Sequence, residues 1–385
     1  MAGNARLGEA KTAKNDEFYT RWEDIEAEMN AYVAHDADAF RGKTVLLPCD
    51  DPERSNFTRY FAANFERFGL KKLISTSYAP GAWNRQITLF EKEHPLFDPE
   101  KHDARGKLFT LTRDVDGSGR IDGDDLELMG YLEGDGDFRS AEVRALRDEA
   151  DVIVTNPPFS LFREFLAWIL EAKKKFIIIG NQNAITYKEV FPLLKDDEIW
   201  LGPGFAGGNA YFYVAPEEVR EFASGVYDEA AGLVKFRNVC WFTNMDHGRR
   251  HEPLELMTMA DCLKYNKRLR KLTIGRDGIP AYRRYENLDA IEVPFVDCIP
   301  SDWDGLMGVP ITFLDRYAPD QFEIVGQGRD MDLPTKTGMS EAFLNDYFAQ
   351  GGTGSMKPGH PDLCYYDPDG TAVVPYRRIV IRRRR

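Results

Sequence analysis

Nine residues, Asp151-Val-Ile-Val-Thr-Asn156-Pro157-Pro158-Phe159, constrain the fold of this 385-residue chain more than any others. Asp151 to Thr155 is rich in β-branched residues, the composition of a short buried strand. Two prolines then end the strand, because neither has an N–H to give to a sheet. Ser160 follows, and Leu161, Phe162, Phe165, Leu166, Ile169 and Leu170 share one helical face. This pattern predicts a helix capped by Ser160. Asn156 to Phe159 therefore belongs on a rigid turn at the carboxyl end of a strand, where open α/β sheets bind ligands.

The turn carries chemistry of its own. The Asn156 side-chain oxygen and a proline carbonyl can accept two hydrogen bonds from one NH₂ group. Phe159 offers an aromatic face to a planar ring. Two acceptors and one aromatic plate suit the exocyclic amine of a nucleobase. Asn-Pro-Pro-Phe resembles the catalytic motif of amino-methylating, S-adenosylmethionine-dependent methyltransferases. The resemblance makes Asn156, Pro157, Pro158 and Phe159 the catalytic candidates. The plainer alternative is a turn that merely uses proline.

The length allows two or three domains, and 43% hydrophobic with 12% aromatic residues indicates a globular chain. No apolar run approaches the roughly 18 residues of a membrane span, and the N-terminus has no apolar signal-peptide core. A cytoplasmic protein without a membrane partner is expected. Cys49, Cys240, Cys262, Cys298 and Cys364 are scattered and read as free thiols. His247 and His251 are spaced too loosely from Cys240 and Cys262 for a usual zinc site. The net charge of −13 argues against nucleic-acid binding over the whole surface, but not against a local basic cleft. Four basic clusters lie in the C-terminal third: Arg249-Arg250, Lys264 to Lys271, Arg283-Arg284, and Arg377-Arg378 with Arg382 to Arg385. Taken singly, each reads as a solvated face.

Near the N-terminus, polar residues give way to Phe18-Tyr19-Thr20, with Arg21 to Val33 as an acidic amphipathic helix and Thr20 as its expected N-cap. Phe18-Tyr19 is either a hydrophobic staple on that helix or an aromatic pair folded over a cofactor. Arg41 to Pro48 reads as a first core strand that runs into Cys49 to Phe57, an acidic loop, and then a helix carrying Phe57, Tyr60, Phe61, Phe65 and Phe68. Strand, loop and helix form the cofactor half of a doubly wound fold, and the lack of Gly-x-Gly-x-x-Gly argues against a dinucleotide. Asp50 or Asp51 can accept from an ammonium group, and the helix start can meet a carboxylate. Lys71 to Tyr78 is the next strand. It ends in Ser75, Thr76, Ser77 and Tyr78 where methyltransferases commonly place an acidic ribose contact.

Gly106 to Arg113 reads as a strand, and Asp114 to Asp125 then fits a calcium-loop pattern. Its candidate ligands are Asp114, Asp116, Ser118 and Asp125. Against calcium, the final acid is the shorter Asp, the preceding segment is a strand, and there is no second loop. The alternative is an acidic, Gly-rich β-hairpin. Gly134-Asp-Gly-Asp137-Phe138 precedes Ser140, which opens a helix as a capping box. Asp137-Phe138 is then either part of that cap and its staple or a contact to a cofactor's adenine. Further strands are expected at Lys175 to Gly180, Glu198 to Gly202, Asn209 to Val214 and Val234 to Thr243.

The motifs occur in one order: Asn15 to Thr20, Pro48 to Phe57, Gly134 to Phe138 and Thr155 to Ser160. Gly180 to Asn183, Val239 to Asn244 and Gly308 to Phe313 come later. Together they resemble the EcoRI-type adenine-specific DNA methyltransferases. The resemblance implies an α/β fold: a doubly wound Rossmann-like methyltransferase sheet with a C-terminal recognition region. The expected divisions are 1–40 as a cofactor-covering segment, 41–245 as the methyltransferase domain with an acidic insert at 112–130, and 246–385 as the target-recognition region. The resemblance implies S-adenosyl-L-methionine as cofactor, bound by Phe18, Tyr19, Thr20, Pro48, Asp50, Asp51, Ser55, Asn56, Asp137 and Phe138. It implies transfer to the N6 amino group of an adenine flipped from duplex DNA, and leaves open whether a cognate restriction endonuclease is a partner. No resident metal is expected. The alternatives are an RNA or protein-amide methyltransferase on the same fold, or a calcium-responsive nucleic-acid-binding protein without catalysis.

Overall fold

β-branched and aliphatic runs become the strands of an eight-stranded mixed sheet. The computed structural model describes residues 19–48, 50, 55–78, 98, 101, 104–205, 209–214, 225–274 and 278–384. They fall into two units: Met1–Ala184 with Ile199–Gly248, and Ile185–Glu198 with Arg249–Arg385.

In the first unit the strands are β1 (Tyr19–Thr20), β2 (Thr44–Leu47), β3 (Lys72–Thr76), β4 (Lys107–Leu111), β5 (Glu127–Tyr131) and β6 (Val152–Thr155). They continue with β7 (Lys175–Asn181), β8 (Trp200–Leu201), β9 (Asn209–Tyr213), β10 (Tyr227–Asp228), β11 (Leu233–Arg237) and β12 (Val239–Thr243). The large sheet has the order β5-β4-β3-β2-β6-β7-β12-β8. Its centre, β3-β2-β6-β7, is parallel, and both edges are antiparallel. β2 and β6 are buried along their whole length, as parallel strands covered on both faces must be. The chain leaves β2 for β3 on one side and returns to β6 on the other. Strand order thus reverses between β2 and β6, which opens a crevice at their carboxyl ends.

The helices of this unit are α1 (Trp22–His35), α2 (Asn56–Ala63), α3 (Phe65–Phe68), α4 (Ala141–Glu149) and α5 (Phe162–Glu171). The aromatic helix expected after Phe57 is in fact two, broken at Asn64 and ended by Gly69 at φ +61°. Phe57, Tyr60, Phe61, Phe65 and Phe68 are all buried, with Phe61 and Phe68 in edge contact at 5.8 Å. Each such ring contributes about 1.5–3 kcal/mol by leaving water.

Local expectations fail where a tertiary contact intervenes. Ser160 does not cap α5. Phe159–Leu161 forms a 3₁₀ turn first, and the helix starts at Phe162 without a side-chain cap. Thr20 does not cap α1, because it pairs with Phe212 in β1-β9 and Arg21 takes the cap position. Ser140 does cap α4 by accepting from the Val143 N–H at 3.2 Å, but the reciprocal half of the box is missing. The Glu142 carboxylate accepts from the Glu133 N–H instead. Val234 to Thr243 is not one strand. Asn238 adopts φ +59°, a conformation that Asn tolerates, and separates β11 from β12. β11 joins the small sheet β1-β9-β11-β10, and β12 joins the large one.

The second unit contains β13 (Arg283–Arg284), β14 (Ala290–Glu292), β15 (Leu306–Pro310), β16 (Phe322–Gln327), β17 (Tyr365–Tyr366), β18 (Ala372–Val373) and β19 (Arg378–Arg383). Five of them form the sheet β13-β14-β15-β19-β16. Its helices are α6 (Phe191–Lys195), α7 (Met259–Tyr265), α8 (Lys267–Thr273) and α9 (Glu341–Ala349). Inside it, Arg378 grips the buried Glu292 through Nη2 and Nε, on one edge of its guanidinium, with contacts of 2.6 and 3.0 Å. Among the described residues, no helix is long and apolar enough to cross a membrane.

Candidate active site

The crevice between β2 and β6 is built from hydroxyls around one carboxylate. Asp50, just past β2, is buried. Its Oδ1 accepts from Ser55 Oγ at 2.8 Å and its Oδ2 from Thr155 Oγ1 at 2.6 Å. The Thr155 hydroxyl also lies 2.9 Å from the Pro48 carbonyl. Ser55 caps α2 by accepting from the Phe57 N–H at 3.1 Å. Asn56 Nδ2, on the first residue of α2, donates to the Thr20 carbonyl at 2.8 Å. Hydrogen bonds thus join Pro48, Asp50 and Ser55 through Thr155, and a separate one joins Thr20 to Asn56, the residue after Ser55. Tyr19 sits beside Thr20 and pairs with Tyr213 of β9. Phe18 and Asp51 lie outside the described residues.

Within this group the Thr20 hydroxyl is buried and has no hydrogen-bond partner among the described residues. An unpaired buried hydroxyl costs about 1–3 kcal/mol, so its position calls for a polar ligand.

Asn156 to Phe159 follows Thr155 directly. Asn156 is partly exposed, Pro157 is buried, and Pro158 has φ −53° and ψ 123°. Phe159 is partly exposed, and its ring meets Phe236 of β11 edge to face at 6.3 Å. Phe236 in turn meets Phe212 of β9 at 5.5 Å. The small sheet therefore braces the aromatic end of the turn. Sequence reasoning identified neither Thr155 as the link to Asp50 nor Phe236 as the brace. The only signal for Phe236 was its place in the alternation of Leu233 to Arg237.

Asp137 and Phe138 are engaged elsewhere. The Asp137 carboxylate accepts from the Arg139 guanidinium at 2.9 and 2.6 Å. That pairing raises the Arg139 pKa above its ordinary value. The Phe138 ring is buried edge-on against Phe165 at 5.0 Å and Trp168 at 5.6 Å. Phe138 therefore packs on α5 and not, as a staple would, on α4. The Asp137-Phe138 loop still abuts the end of β3: a Cβ on Gly136, at φ +86°, would collide with the Ser77 carbonyl oxygen. The hydroxyls at that strand end are buried and used internally. Ser75 donates to the Asp50 carbonyl at 2.5 Å, and Ser77 accepts from the Lys107 N–H at 2.9 Å.

The acidic insert is the turn of an antiparallel hairpin made by β4 and β5. Carboxylate oxygens of Asp114, Asp116 and Asp125 come within 4.8 Å of one another. Asp125 accepts from the N–H groups of Val115, Asp116 and Asp122, which hold its carboxyl below the usual range.

A family model described as adenine-specific methyltransferase EcoRI matches residues 6–384. The chain belongs to the EcoRI adenine-specific methyltransferase family. It is 39% identical to the Type II methyltransferase M.EcoRI of Escherichia coli, over 86% of this chain and 91% of that protein. It is 32% identical to the Type II methyltransferase M.MpnI of Mycoplasma pneumoniae, over 82% of this chain and 83% of that one. No solved structure matches it. This member of the EcoRI family is an adenine-specific DNA methyltransferase, and its methyl donor is S-adenosyl-L-methionine. The chemistry of the residues is compatible with that donor: Asp50 offers a buried carboxylate, the kind of group that pairs with an ammonium, and Thr20 a buried hydroxyl without a partner among the described residues.

Proposed function

We propose that Asn156, Pro157, Pro158 and Phe159 hold the N6 amino group of an adenine drawn out of duplex DNA. We propose equally that Thr20, Pro48, Asp50, Ser55 and Asn56, with Tyr19 alongside, hold S-adenosyl-L-methionine. When bound, that group supplies an electrophilic methyl. The carrying observation is the 2.6 Å hydrogen bond from Thr155 to Asp50, which supports reading the turn and the carboxylate as parts of one site.

The Asn156 side-chain oxygen and the Pro157 carbonyl accept the two N–H bonds of the amine. This draws the nitrogen lone pair out of conjugation with the purine. Phe159 stacks on the base, recovering roughly 1–3 kcal/mol against the few kcal/mol spent in unstacking it. Pro157 and Pro158 stiffen the backbone, so the acceptors keep their direction and positioning supplies much of the acceleration. No strong base is needed beforehand, because the nitrogen becomes acidic only as its new bond forms.

The reversal of strand order at β2 and β6 supports a doubly wound, Rossmann-like methyltransferase sheet across 41–245. The segment 246–385 is the target-recognition region in this reading. The Type II names of the relatives are the reason to seek a cognate restriction endonuclease.

The test is tritium transfer from labelled S-adenosyl-L-methionine to duplex DNA, with Asn156→Ala and Phe159→Ala beside the wild type. Labelled N6-methyladenine from the wild type, lost in both variants, is the expected result. Full activity in Asn156→Ala would move the reaction off this turn. Transfer to RNA or protein alone would change the substrate.

A further inference from the structure

Of the four basic clusters in the C-terminal third, three are spent inside the second unit. Arg250 is buried and pairs with Asp197 at 2.6 Å. Arg283 pairs with Asp367 at 3.5 Å and donates to two carbonyls. Arg284 pairs with Asp289 at 3.1 Å and lies over the Trp303 ring. Arg378 is bound to Glu292 and Arg382 to Glu323, while Arg383 and Arg384 donate to backbone carbonyls.

The cluster from Lys264 to Lys271 differs. It forms the end of α7 and most of α8, joined at Asn266, which caps α8 by accepting from the Arg268 and Leu269 N–H groups. Leu269 and Thr273 are the buried side of α8. Lys267, Arg270 and Lys271, at i, i+3 and i+4, share the opposite, exposed side. Arg268 alone has an acid, Asp297 at 3.1 Å. Lys264 points to solvent with its ammonium 4.7 Å from the centre of the Tyr265 ring, and Tyr265 is 61% exposed. None of Lys264, Lys267, Arg270 and Lys271 has an ion pair among the described residues. Like charges at these spacings destabilise a helix by about 0.2–0.5 kcal/mol per pair, and cations near its start oppose the dipole. In a chain of net charge −13, this face is an uncompensated concentration of positive charge on one small element.

We infer that the exposed face of α7 and α8 binds the phosphate backbone of duplex DNA, with Lys264, Lys267, Arg270 and Lys271 as its contacts. The inference rests on the DNA-methyltransferase reading and assigns one surface to its substrate. Phosphate contacts position a duplex without reading its sequence, so this surface sets affinity and the base-reading residues lie elsewhere.

The test is a salt series of fluorescence-anisotropy titrations on the full chain. The probe is a short mixed-sequence duplex, and the variant is Lys267→Gln/Arg270→Gln/Lys271→Gln. The variant should bind at least about tenfold more weakly. Its log K against log salt should be shallower by roughly 2–3, at about 0.9 for each phosphate no longer neutralised. A charge-keeping variant, Lys267→Arg/Arg270→Lys/Lys271→Arg, should retain the wild-type slope. An unchanged slope in the glutamine variant, from a wild type that does bind, would make the cluster a solvated face and overturn the inference alone. A wild type that binds no duplex would remove the substrate reading with it. Equal competition by single-stranded RNA would overturn the choice of duplex DNA.

Discussion

Thr155 donates its hydroxyl hydrogen bond to Asp50 at 2.6 Å, across 105 residues of sequence. The donor is the last residue of β6 and the acceptor lies just past β2, so the bond spans the point where strand order reverses. Thr155 also precedes Asn156, so the bond ties the carboxylate to the turn proposed to hold the amine.

Thr155→Val keeps the shape and removes the donor. A buried carboxylate short of a partner costs about 1–3 kcal/mol, so the midpoint of chemical denaturation should fall. Donor affinity should weaken by about tenfold for each 1.4 kcal/mol lost in placing Asp50. Thr155→Ser should restore both. Isothermal titration with S-adenosyl-L-methionine gives the second quantity, and wild-type affinity in the valine variant would rule out the bridge.

Thr20→Val should separate stability from binding. The hydroxyl it removes is buried without a partner among the described residues, so the ligand-free protein should be as stable as the wild type or more so. Donor affinity should fall nonetheless. A variant that binds the donor as well as the wild type does would leave the Thr20 hydroxyl outside the site.

Gly136→Ala confronts two barriers together. The residue sits at φ +86°, and the new Cβ would press on the Ser77 carbonyl oxygen, which is rigid backbone. Strain of this kind costs about 1–3 kcal/mol before any displacement of the strand end. Thermal denaturation should show the loss. Gly117→Ala, at φ +75° with open space around it, should cost less.

Lys336 makes a prediction about pH. Its Nζ is buried without a hydrogen-bond partner, and burial lowers its pKa to about 8 from the ordinary 10.5. Between those values the unfolded chain binds the proton and the folded chain does not, so this group adds stability as pH rises from 8 toward 10.5. Below pH 8 both states carry the charge and its full cost remains. Lys336→Met should therefore stabilise the protein at pH 7, by about 1–2 kcal/mol after allowing for partial exposure. The difference from wild type should shrink through that window. Measuring the difference cancels the buried groups that titrate there independently of Lys336, and a Cys364→Ala background in both proteins removes the thiol coupled to it. A difference independent of pH would refute the assignment.

The sequence exposed what depends on neighbours in the chain. β2, β3, β6 and β7 are runs of aliphatic and β-branched residues, and the Asn-Pro-Pro-Phe turn is a local signature. It hid what depends on partners far away. Arg378 looks like any surface arginine until Glu292, 86 residues earlier, is brought against it. The break at Asn238 was invisible because one left-handed residue inside an alternating run leaves the hydropathy pattern intact. Thr20 reads locally as a cap, yet pairing with β9 takes precedence, since a strand partner satisfies backbone groups that a cap would leave open.

The second unit takes Ile185–Glu198, including α6, from inside the sequence of the first. The backbone passes between the two units three times. A fragment beginning at Arg249 would lack part of its own unit, and a fragment ending at Gly248 would carry a segment whose companions are gone. The same arithmetic governs recombination: no single crossover can graft the second unit alone from one relative onto another, because a junction before Ile185 also carries 199–248 of the first unit. Replacing the second unit by itself takes the exchange of two separate segments.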